Sequence, residues 1–369
     1  MPSRYTIVLL TLLFCGSWGI AAQSLDLTID GYGLSIGNSP RVNGIRLNAV
    51  DKNVQRINGV NITVWKAAED GAEEVNGLAL GLVAPEARRI HGIAIGVVGV
   101  SSTEHISGIA LGGLGVGAGR DLTGIGIGLL GAGADESLTG IVVGGLGAGA
   151  GTSFKGIAIG GLGAGAGRDL SGVAIGLLGA GAGESMNGIV IGGLGAGAGK
   201  SFSGIALGGL GAGAGKNVTG IVVGGIGAGA GGSMDGIAIG GFAVGAGQSM
   251  RGVGFGTFGA GAGQDASGLF ISGAAVGAGS RFHGIGIAGL GVQGTEEIIG
   301  CALAGALVKT DHLTGFAAGG YTKTKQTTGL TVGIFNVTDN LNGVQIGLLN
   351  LARNNPKGMQ LLPLINIHF

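Results

Sequence analysis

The stretch Gly172-Val-Ala-Ile-Gly-Leu-Leu-Gly-Ala-Gly-Ala-Gly-Glu-Ser-Met-Asn187 shows the pattern that decides the fold of this chain. Copies of it follow one another every sixteen residues without insertion or deletion, and each copy opens with a glycine. The leading glycines are Gly92, Gly108, Gly124, Gly140, Gly156, Gly172, Gly188, Gly204, Gly220, Gly236, Gly252, Gly268, Gly284 and Gly300. The register continues more loosely at Gly44, Gly59, Gly77, Gly315, Gly329, Gly343 and Gly358. A fixed period of this kind predicts a repeat protein.

Within one copy, large and small residues alternate after the leading glycine, which is called position 1 below. Positions 2 and 4 hold Ile, Val, Leu or Phe, and position 3 holds a small residue. A period of two is typical of a β-strand with one buried face. We therefore expect positions 2, 4, 7, 9, 11 and 15 to form the interior, and the glycines at positions 8, 10 and 12 to point outward. Charges occupy positions 13, 14 and 16, which predicts a solvated corner with neighbouring charges such as Arg168, Glu184 and Lys200 in a ladder.

The composition excludes several classes of protein. Of 369 residues, 90 are glycine and 5 are proline. Because glycine in a helix interior costs about 1 kcal/mol relative to alanine, long helices are excluded over most of the chain. Collagen is excluded because no strict Gly-X-Y triplet exists, and an apolar content of 45% argues against disorder. The 20 Lys and Arg balance the 20 Asp and Glu, so the chain has no basic footprint for a nucleic acid.

Two all-β architectures fit the repeat. One is a β-solenoid, or β-helix, with about 16 residues per coil and about twenty coils; the alternative is a transmembrane antiparallel β-barrel. Residues 112–159 closely match residues 160–207, so the chain grew by copying three units. Three copied strands would be inverted in an antiparallel barrel, whereas every coil of a solenoid keeps its direction, and this favours the solenoid. The final segment Leu361–Phe369 alternates and ends in Phe, which resembles the end of outer-membrane barrel proteins; in a solenoid it is a capping strand.

The chain divides into four segments. Residues 1–22 are predicted to be a signal peptide, because Arg4 precedes an apolar run and small residues end at Ala22. Residues 23–91 are predicted to form irregular coils and a cap, with Trp65 and the charged stretch 66–74 as an insertion. Residues 92–314 form the regular repeats, and residues 315–369 form shorter coils and the capping strand. The protein is therefore expected to be exported.

The two cysteines carry little information about function. Cys15 follows Phe14, where the signal for a lipoprotein requires a small residue, so a lipid anchor is disfavoured. After cleavage, Cys301 is the sole thiol. It stands where neighbouring repeats have Ile or Val, so we predict that it fills the interior.

Motifs that carry chemistry are weak. The sequence Ala198-Gly-Lys-Ser201 is similar to the end of a phosphate-binding loop, but Leu194 replaces its first glycine and no helix can follow. The histidines are scattered, at His91, His105, His283, His312 and His368. No convergent set of titratable groups can be assembled from the repeat. We therefore predict no catalytic residue, no cofactor, no metal site and no enzymatic activity.

The C-terminal repeats resemble a known family. Gly329-Leu-Thr-Val-Gly-Ile-Phe-Asn336 and Gly343-Val-Gln-Ile-Gly-Leu-Leu-Asn350 look like the G-[LV]-Q-[IV]-G-[LI]-[LI]-N repeats of bacterial surface-repeat proteins. The resemblance covers about the last forty residues, and the Gly-Ala centre of the chain lacks the Gln and Asn of the signature. It implies a place on the cell surface or outer membrane of a double-membrane bacterium, or in its periplasm, and implies no activity.

The sequence therefore predicts a non-enzymatic repeat protein of the cell envelope or surface, with a structural or adhesive role and a long uncharged Gly/Ala face. Its partner would be a second copy, another envelope protein or the outer membrane, and not a nucleic acid. The alternative is an integral outer-membrane β-barrel. A minor alternative is an ice-binding protein, although Thr and Ser lie at the corners of the repeat and form no hydroxyl array.

Overall fold

A computed structural model describes residues 24–29, 32–68 and 71–369. All secondary structure in these residues is β-strand, as the sequence predicts. The predicted signal peptide at residues 1–22 lies outside the described residues. The chain folds as two compact units, Met1–Gly151 and Thr152–Phe369, which we call unit 1 and unit 2.

Unit 1 has twelve described strands. They are β1 (Leu25–Ile29), β2 (Tyr32–Ile36), β3 (Arg41–Asn48), β4 (Val54–Thr63), β5 (Ala72–Gly81), β6 (Glu86–Gly96), β7 (Gly99–Gly112), β8 (Gly115–Ala118), β9 (Asp121–Gly128), β10 (Gly131–Ala134), β11 (Ser137–Gly144) and β12 (Gly147–Ala150).

Unit 2 begins with β13 and ends with β34, close to the last residue. Its strands are β13 (Ser153–Gly160), β14 (Gly163–Ala166), β15 (Asp169–Gly176), β16 (Gly179–Ala182), β17 (Ser185–Gly192), β18 (Gly195–Ala198), β19 (Ser201–Gly208), β20 (Gly211–Ala214), β21 (Asn217–Gly224), β22 (Gly227–Ala230), β23 (Met234–Gly240), β24 (Ala243–Ala246), β25 (Ser249–Gly256), β26 (Gly259–Ala262), β27 (Asp265–Ser272), β28 (Ala275–Ala278), β29 (Arg281–Ala288), β30 (Gly291–Gly294), β31 (Glu297–Ala304), β32 (Leu307–Lys309), β33 (His312–Ala352) and β34 (Leu361–His368).

Successive repeats pair in parallel, and each residue lies beside the residue one period later. In unit 1, β9 pairs with β11, so that Ile125 faces Ile141. In unit 2, β17 pairs with β19, so that Met186 faces Phe202. This in-register stacking defines a β-solenoid of about 18 turns with about 16 residues per turn. It confirms the predicted fold class, with slightly fewer turns than the twenty expected. Among the described strands, the antiparallel neighbours, which the alternative fold requires throughout, are β1 with β2 and β33 with β34.

Each regular turn consists of one long and one short strand joined by two tight corners. In unit 2, β17 carries positions 14 to 5 of the repeat and β18 carries positions 8 to 11. Each strand pairs with its equivalent in the next turn, which forms two parallel sheets that face each other across the interior. The corners, at positions 6 and 7 and at positions 12 and 13, pair through backbone hydrogen bonds such as Leu194 N to Leu178 O at 2.9 Å.

The interior of the solenoid differs from the predicted one. Positions 9, 11 and 15 are buried, as expected, but positions 2, 4 and 7 point outward and positions 3 and 5 point inward. In the turn that begins at Gly188, Val190 at position 3 is 0% exposed, whereas Ile189 at position 2 is 40% exposed. The assignment of the large aliphatic residues to the interior was therefore wrong.

The narrow space between the two sheets explains this inversion. Alanines at positions 9 and 11 of the short strand face small residues at positions 3 and 5 of the long strand. One large side chain per turn, at position 15, fills the remaining space, and Phe154, Leu170, Met186 and Phe202 are each almost completely buried there. Since interiors are packed to crystal-like density, a row of Ile at position 3 would separate the sheets.

Position 1 accepts only glycine. Gly204 has a φ of +128°, and a Cβ atom at this residue would lie 2.0 Å from the carbonyl oxygen of Gly188 in the preceding turn. The same geometry recurs at the equivalent glycines of both units. Position 8 differs, because a Cβ atom on Gly211 would lie 3.8 Å from its nearest neighbour, the oxygen of Gly227.

The first turns of unit 1 contain a buried polar cluster. Arg46 is 0% exposed and forms an ion pair with buried Asp51. Its guanidinium also donates to Asn61 Oδ1 at 2.9 Å and to the carbonyl oxygen of Gly37 at 3.0 Å. These hydrogen bonds satisfy a charge that would otherwise be costly to bury, since breaking such a pair costs about 3–5 kcal/mol.

The last turns of unit 2 have a polar interior of a different kind. Thr322 donates to Asn336 Oδ1 at 2.6 Å, and Asn336 donates to Asn350 Oδ1 at 2.7 Å, so the three side chains form a ladder across successive turns. The antiparallel strand β34 follows, and Asn366 donates to the carbonyl oxygen of Asn350 at 3.0 Å. The buried ladder therefore continues into the final strand.

Candidate interaction surface

The long strand and its following corner present a continuous apolar surface, which we call the aliphatic face. It consists of the outward side chains at positions 2, 4 and 7. In the regular turns of unit 2, its exposed members are Ile157, Ile159, Leu162, Leu178, Ile189, Ile191, Leu194, Leu207, Leu210, Ile221, Ile226, Ile237, Ile239, Phe242, Val253, Phe255, Phe258, Ile285, Ile287 and Leu290. In the shorter turns that follow, they are Tyr321, Phe335, Ile346 and Leu349. In unit 1, they include Ile45, Leu47, Ile93, Ile95, Val98, Ile109, Leu114, Ile127, Leu130, Ile141 and Leu146.

In-register pairing makes the aliphatic face regular. Ile189 lies beside Ile205, and Ile205 lies beside Ile221, so position 2 forms a straight column of aliphatic side chains. Most residues in the columns at positions 2 and 4 are Ile, Val or Leu, and the β-branched members have a restricted χ1. Neighbouring parallel strands are about 4.8 Å apart, so each column is a ridge with a repeat of this length.

The short strand presents a second surface that is nearly free of side chains. We call it the glycine flank, because positions 8 and 10 are glycine in most turns and point outward, as the sequence predicts. It adjoins the aliphatic face at the corner of positions 6 and 7. Its exposed atoms are Cα atoms and a backbone that is already paired within the sheet.

The opposite corner carries charges that pair from turn to turn, as predicted. In unit 1, Arg88 Nε lies 2.8 Å from Glu104 Oε1. In unit 2, Lys200 Nζ lies 2.8 Å from Glu184 Oε2. Exposed pairs of this kind are typically worth less than about 1 kcal/mol each. The corner is therefore a solvated edge on which several charges are paired.

The pairing of Glu184 predicts a small effect of pH on unit 2. The hydrogen bond from Lys200, followed by its charge, holds the pKa of Glu184 below its usual 4.5. As the pH falls, Glu184 of the unfolded chain is therefore protonated before Glu184 of the folded chain. The ion pair stabilises the folded chain above pH 4.5, and this stabilisation is lost as the pH falls through the lowered pKa. Glu184→Gln should make the urea midpoint less dependent on pH between neutrality and about pH 3. Lys200→Gln should do the same, and an unchanged pH profile in both variants would contradict the pairing.

The residues singled out for chemistry lie apart in the structure. In the segment that is similar to the end of a phosphate-binding loop, Lys200 forms an ion pair with Glu184, and Ser201 begins strand β19. His283 Nε2 lies 3.4 Å from Glu297 Oε2, and His105 Nδ1 lies 3.0 Å from Asp121 Oδ2. Among the described residues, no group of three or more His, Cys, Asp or Glu is arranged to hold a metal ion. These histidines belong to the charged corner.

Cys301 does not fill the interior, contrary to the prediction. It occupies position 2, which points outward, and it is half-buried within the aliphatic face. Partial burial raises the pKa of its thiol above the usual 9.0. The prediction for Cys301 was wrong because position 2 points outward and position 3 points inward, opposite to what the sequence suggested.

The residues of the surface-repeat signature face inward. Gln345 at position 3 and Asn336 and Asn350 at position 8 are each 0% exposed. The turns of this region are two residues shorter than the regular turns, and their position 8 lies inside. The Asn residues therefore act as an interior hydrogen-bonded ladder, and the signature describes packing and not a ligand site. The side-chain amide of Gln345 and the hydroxyl of Thr331 are buried without a hydrogen-bond partner.

Shallow grooves mark the surface of each unit. In unit 2, a groove of about 680 Å³ crosses the aliphatic face where Ala318 stands between Leu303 and Val332, so that small residues interrupt the column. In unit 1, a groove of about 460 Å³ lies beside the insertion, with Gln55 and Arg88 among its lining residues. The groove of unit 2 is a depression within the aliphatic face and, like that face, is lined by apolar residues.

The comparisons with known proteins give no relatives: no family model, no curated protein and no solved structure matches this chain. In the described part of the chain, no helix is long and apolar enough to cross a membrane.

Proposed function

We propose that this protein is an exported, non-enzymatic repeat protein of a bacterial cell envelope or cell surface, with a structural or adhesive role. It acts by contact, and the aliphatic face is its contact surface. Export follows from the character of residues 1–22, and the envelope location follows from the resemblance of the C-terminal repeats to surface-repeat proteins.

The observation that carries this proposal is the exposure of the aliphatic columns. Soluble monomers rarely expose contiguous apolar patches larger than a few hundred Å², and larger patches mark sites of contact. In the turns that begin at Gly92 to Gly300, all of which the structure describes, the only titratable group at positions 2, 4 and 7 is the half-buried thiol of Cys301, so the face recognises shape and apolar surface. Several charges of the charged corner are held in ion pairs, as Lys200 with Glu184 and Arg281 with Asp265 are.

The contact surface thus differs from the one expected from the sequence. The Gly/Ala pattern suggested that an uncharged glycine flank makes the contacts. That flank is present, but the neighbouring aliphatic columns gain more from the removal of water, at about 25 cal/mol per Å² of apolar surface. We therefore assign the contact to the aliphatic face.

Cell fractionation tests this function. The chain should be recovered in the envelope fraction with an N-terminus that follows Ala22. It should resist extraction by high salt and be released by urea, because apolar contacts are insensitive to screening. The double variant Ile237→Lys with Ile239→Lys, at positions 2 and 4 of one turn, should shift most of the protein to the soluble fraction.

The matched control places the same two charges on the glycine flank. Gly211→Lys with Gly227→Lys suits this purpose, since Cβ atoms there would have their nearest neighbours at 3.8 and 3.7 Å. This control should stay in the envelope fraction. Recovery of the unaltered chain in the cytosol, or equal retention of both double variants, would refute the proposal.

A further inference from the structure

The aliphatic face of unit 2 is too large to remain in water. In the regular turns alone, twenty of its large side chains are each about 36–62% exposed, which corresponds to an apolar area on the order of 1,800 Å², whereas the largest patch on a typical monomer is about 300–600 Å². A standard protein interface buries about 800 Å² on each partner. The face of unit 2 alone therefore exceeds the area that a stable interface requires.

An aromatic cluster lies on this face, in the central turns of unit 2. Phe242 and Phe258 stack with their ring centroids 4.3 Å apart, and Phe255 in the same region is 46% exposed. Phe255 and Phe258 belong to the turn of Gly252, which has six position-1 glycines of unit 2 on either side, from Gly156 to Gly343. The residues that dominate binding energy are commonly aromatic and lie near the centre of an interface. The cluster therefore marks the centre of an interface that extends along unit 2.

The composition of the face favours a protein partner over a lipid surface. Surfaces that enter membranes carry Trp and Tyr at the level of the headgroups and basic residues at the rim. Between residues 156 and 300, unit 2 has neither Trp nor Tyr, and its rim carries paired charges of both signs, such as Arg281 with Asp265 at 3.0 Å. Rigid ridges with a fixed repeat of about 4.8 Å fit a surface with the same repeat, and a second copy of this chain provides one.

We propose that two copies associate through the aliphatic faces of unit 2, packed sheet against sheet, with a two-fold axis along the strand direction at the turn of Gly252. This inference rests on the proposed function, because it names the partner of the same face. Two sheets packed in this way lie about 10 Å apart. The axis reverses the order of turns in the second copy and keeps each column opposite itself, as an isologous interface requires.

This geometry makes two specific predictions of proximity. Phe255 faces Phe255 of the second copy, because both lie on the axis. Ile205 is three turns before the axis and Cys301 is three turns after it, and both occupy position 2. Ile205 of one copy therefore faces Cys301 of the second copy.

The mass of the purified full chain in solution tests the association. Sedimentation equilibrium should give twice the mass of the chain at micromolar concentration, with little dependence on salt. Phe255→Lys should weaken the dimer by at least about 30-fold, which corresponds to the loss of a central aromatic anchor worth about 2 kcal/mol. The control Gly259→Lys lies in the same turn on the glycine flank, where a Cβ atom would have nothing within 4 Å, and it should remain a dimer. Circular dichroism verifies that both variants are folded.

Cross-linking of cysteines tests the position of the axis. Facing Cα atoms of sheets about 10 Å apart are too distant for a disulfide, so a short bismaleimide linker is used. In a Cys15→Ser background, Ile205→Cys together with the native Cys301 should give a covalent dimer when this linker alkylates the two thiols. Ile157→Cys, which lies three turns further from the axis, should not. A covalent dimer from Ile157→Cys and none from Ile205→Cys would overturn the proposed axis.

The remaining outcomes separate this inference from the proposed function. A chain that stays monomeric at all concentrations, or a dimer that Phe255→Lys does not weaken, would overturn the association. A monomer that binds vesicles of phosphatidylcholine would make lipid the occupant of the face. In either case, the envelope location and its sensitivity to charges on the aliphatic face would stand, because they are measured separately in cells.

Discussion

Gly204→Ala is expected to destabilise unit 2 by at least about 4 kcal/mol, which is exceptional for the addition of one methyl group. Gly204 has a φ of +128°, a conformation that costs an L-residue about 1–3 kcal/mol. The larger part of the cost is steric. The added Cβ atom would lie 2.0 Å from the carbonyl oxygen of Gly188, and the two turns must separate to accommodate it. That separation breaks the parallel pairing between β17 and β19, in which Gly188 and Gly204 face each other.

The matched control for this substitution is Gly211→Ala, at position 8 of the same turn. The φ of Gly211 is not in the left-handed region, and the added Cβ atom would be 3.8 Å from its nearest neighbour. Because alanine restricts the unfolded chain, this variant should be neutral or about 0.4–1 kcal/mol more stable. Urea unfolding followed by circular dichroism compares the two variants. Equal midpoints would contradict the account of position 1.

The sequence was sufficient to predict the solenoid and several positions within its turn. The strict period predicts stacked units, and the polar residues at positions 13, 14 and 16 predict a solvated corner whose charges pair, as Lys200 and Glu184 do. The structure has the glycines at position 1 within the long strand at positive φ, which the period alone does not predict. That location became clear only from the closeness of the preceding turn.

The orientation of the long strand was predicted wrongly, and the reason is physical. A period of two identifies two faces but does not say which one is buried. The usual rule assigns the larger apolar residues to the interior, and it fails here because two sheets facing each other at short range leave room for little more than Ala and Gly. The volume of the interior is a property of the stacked turns, and no single repeat reveals it.

A signal for the true interior nevertheless exists in the sequence. Positions 3 and 15 vary reciprocally in size, as expected for side chains that share one space. Gly286 at position 3 accompanies Phe282 at position 15 of the preceding repeat, and a Cβ atom on Gly286 would lie 3.0 Å from the ring of Phe282. Conversely, Phe270 at position 3 follows Ala266 at position 15, and the rings of Phe270 and Phe282 meet edge to face at 5.7 Å. Positions 2 and 4 show no such compensation, because they point away from the interior.

The aliphatic face exists only because positions 2 and 4 of the long strand point outward, which the sequence analysis did not predict. With Ile and Leu inside, the exterior would consist of glycine and corner charges, and the only available contact surface would be the glycine flank. With positions 2, 4 and 7 outside, the same residues form an apolar face. The cluster of Phe242, Phe255 and Phe258 gives this face a centre.

Val190→Lys is expected to unfold the central turns of unit 2, whereas Ile189→Lys, one residue away, should leave them folded. Val190 is 0% exposed and lies between Ala174 and Ala206 of the adjacent turns, so a lysine there has neither room nor a partner for its charge. An unpaired buried charge costs about 3–5 kcal/mol, and the extra volume adds about 1–3 kcal/mol. At Ile189, which is 40% exposed, the lysine stem can lie along the aliphatic face with its ammonium group in water, at a cost of about 1 kcal/mol or less.

The two lysine variants introduce the same side chain and the same charge at adjacent positions, so the difference between their stabilities reports which face is buried. Urea midpoints at neutral pH should fall strongly for Val190→Lys and little for Ile189→Lys. Raising the pH towards about 10 should narrow the gap, because a buried lysine has a lowered pKa and deprotonation removes the penalty of burying its charge. The reverse order of midpoints would mean that position 2 faces the interior, and the aliphatic face would not exist.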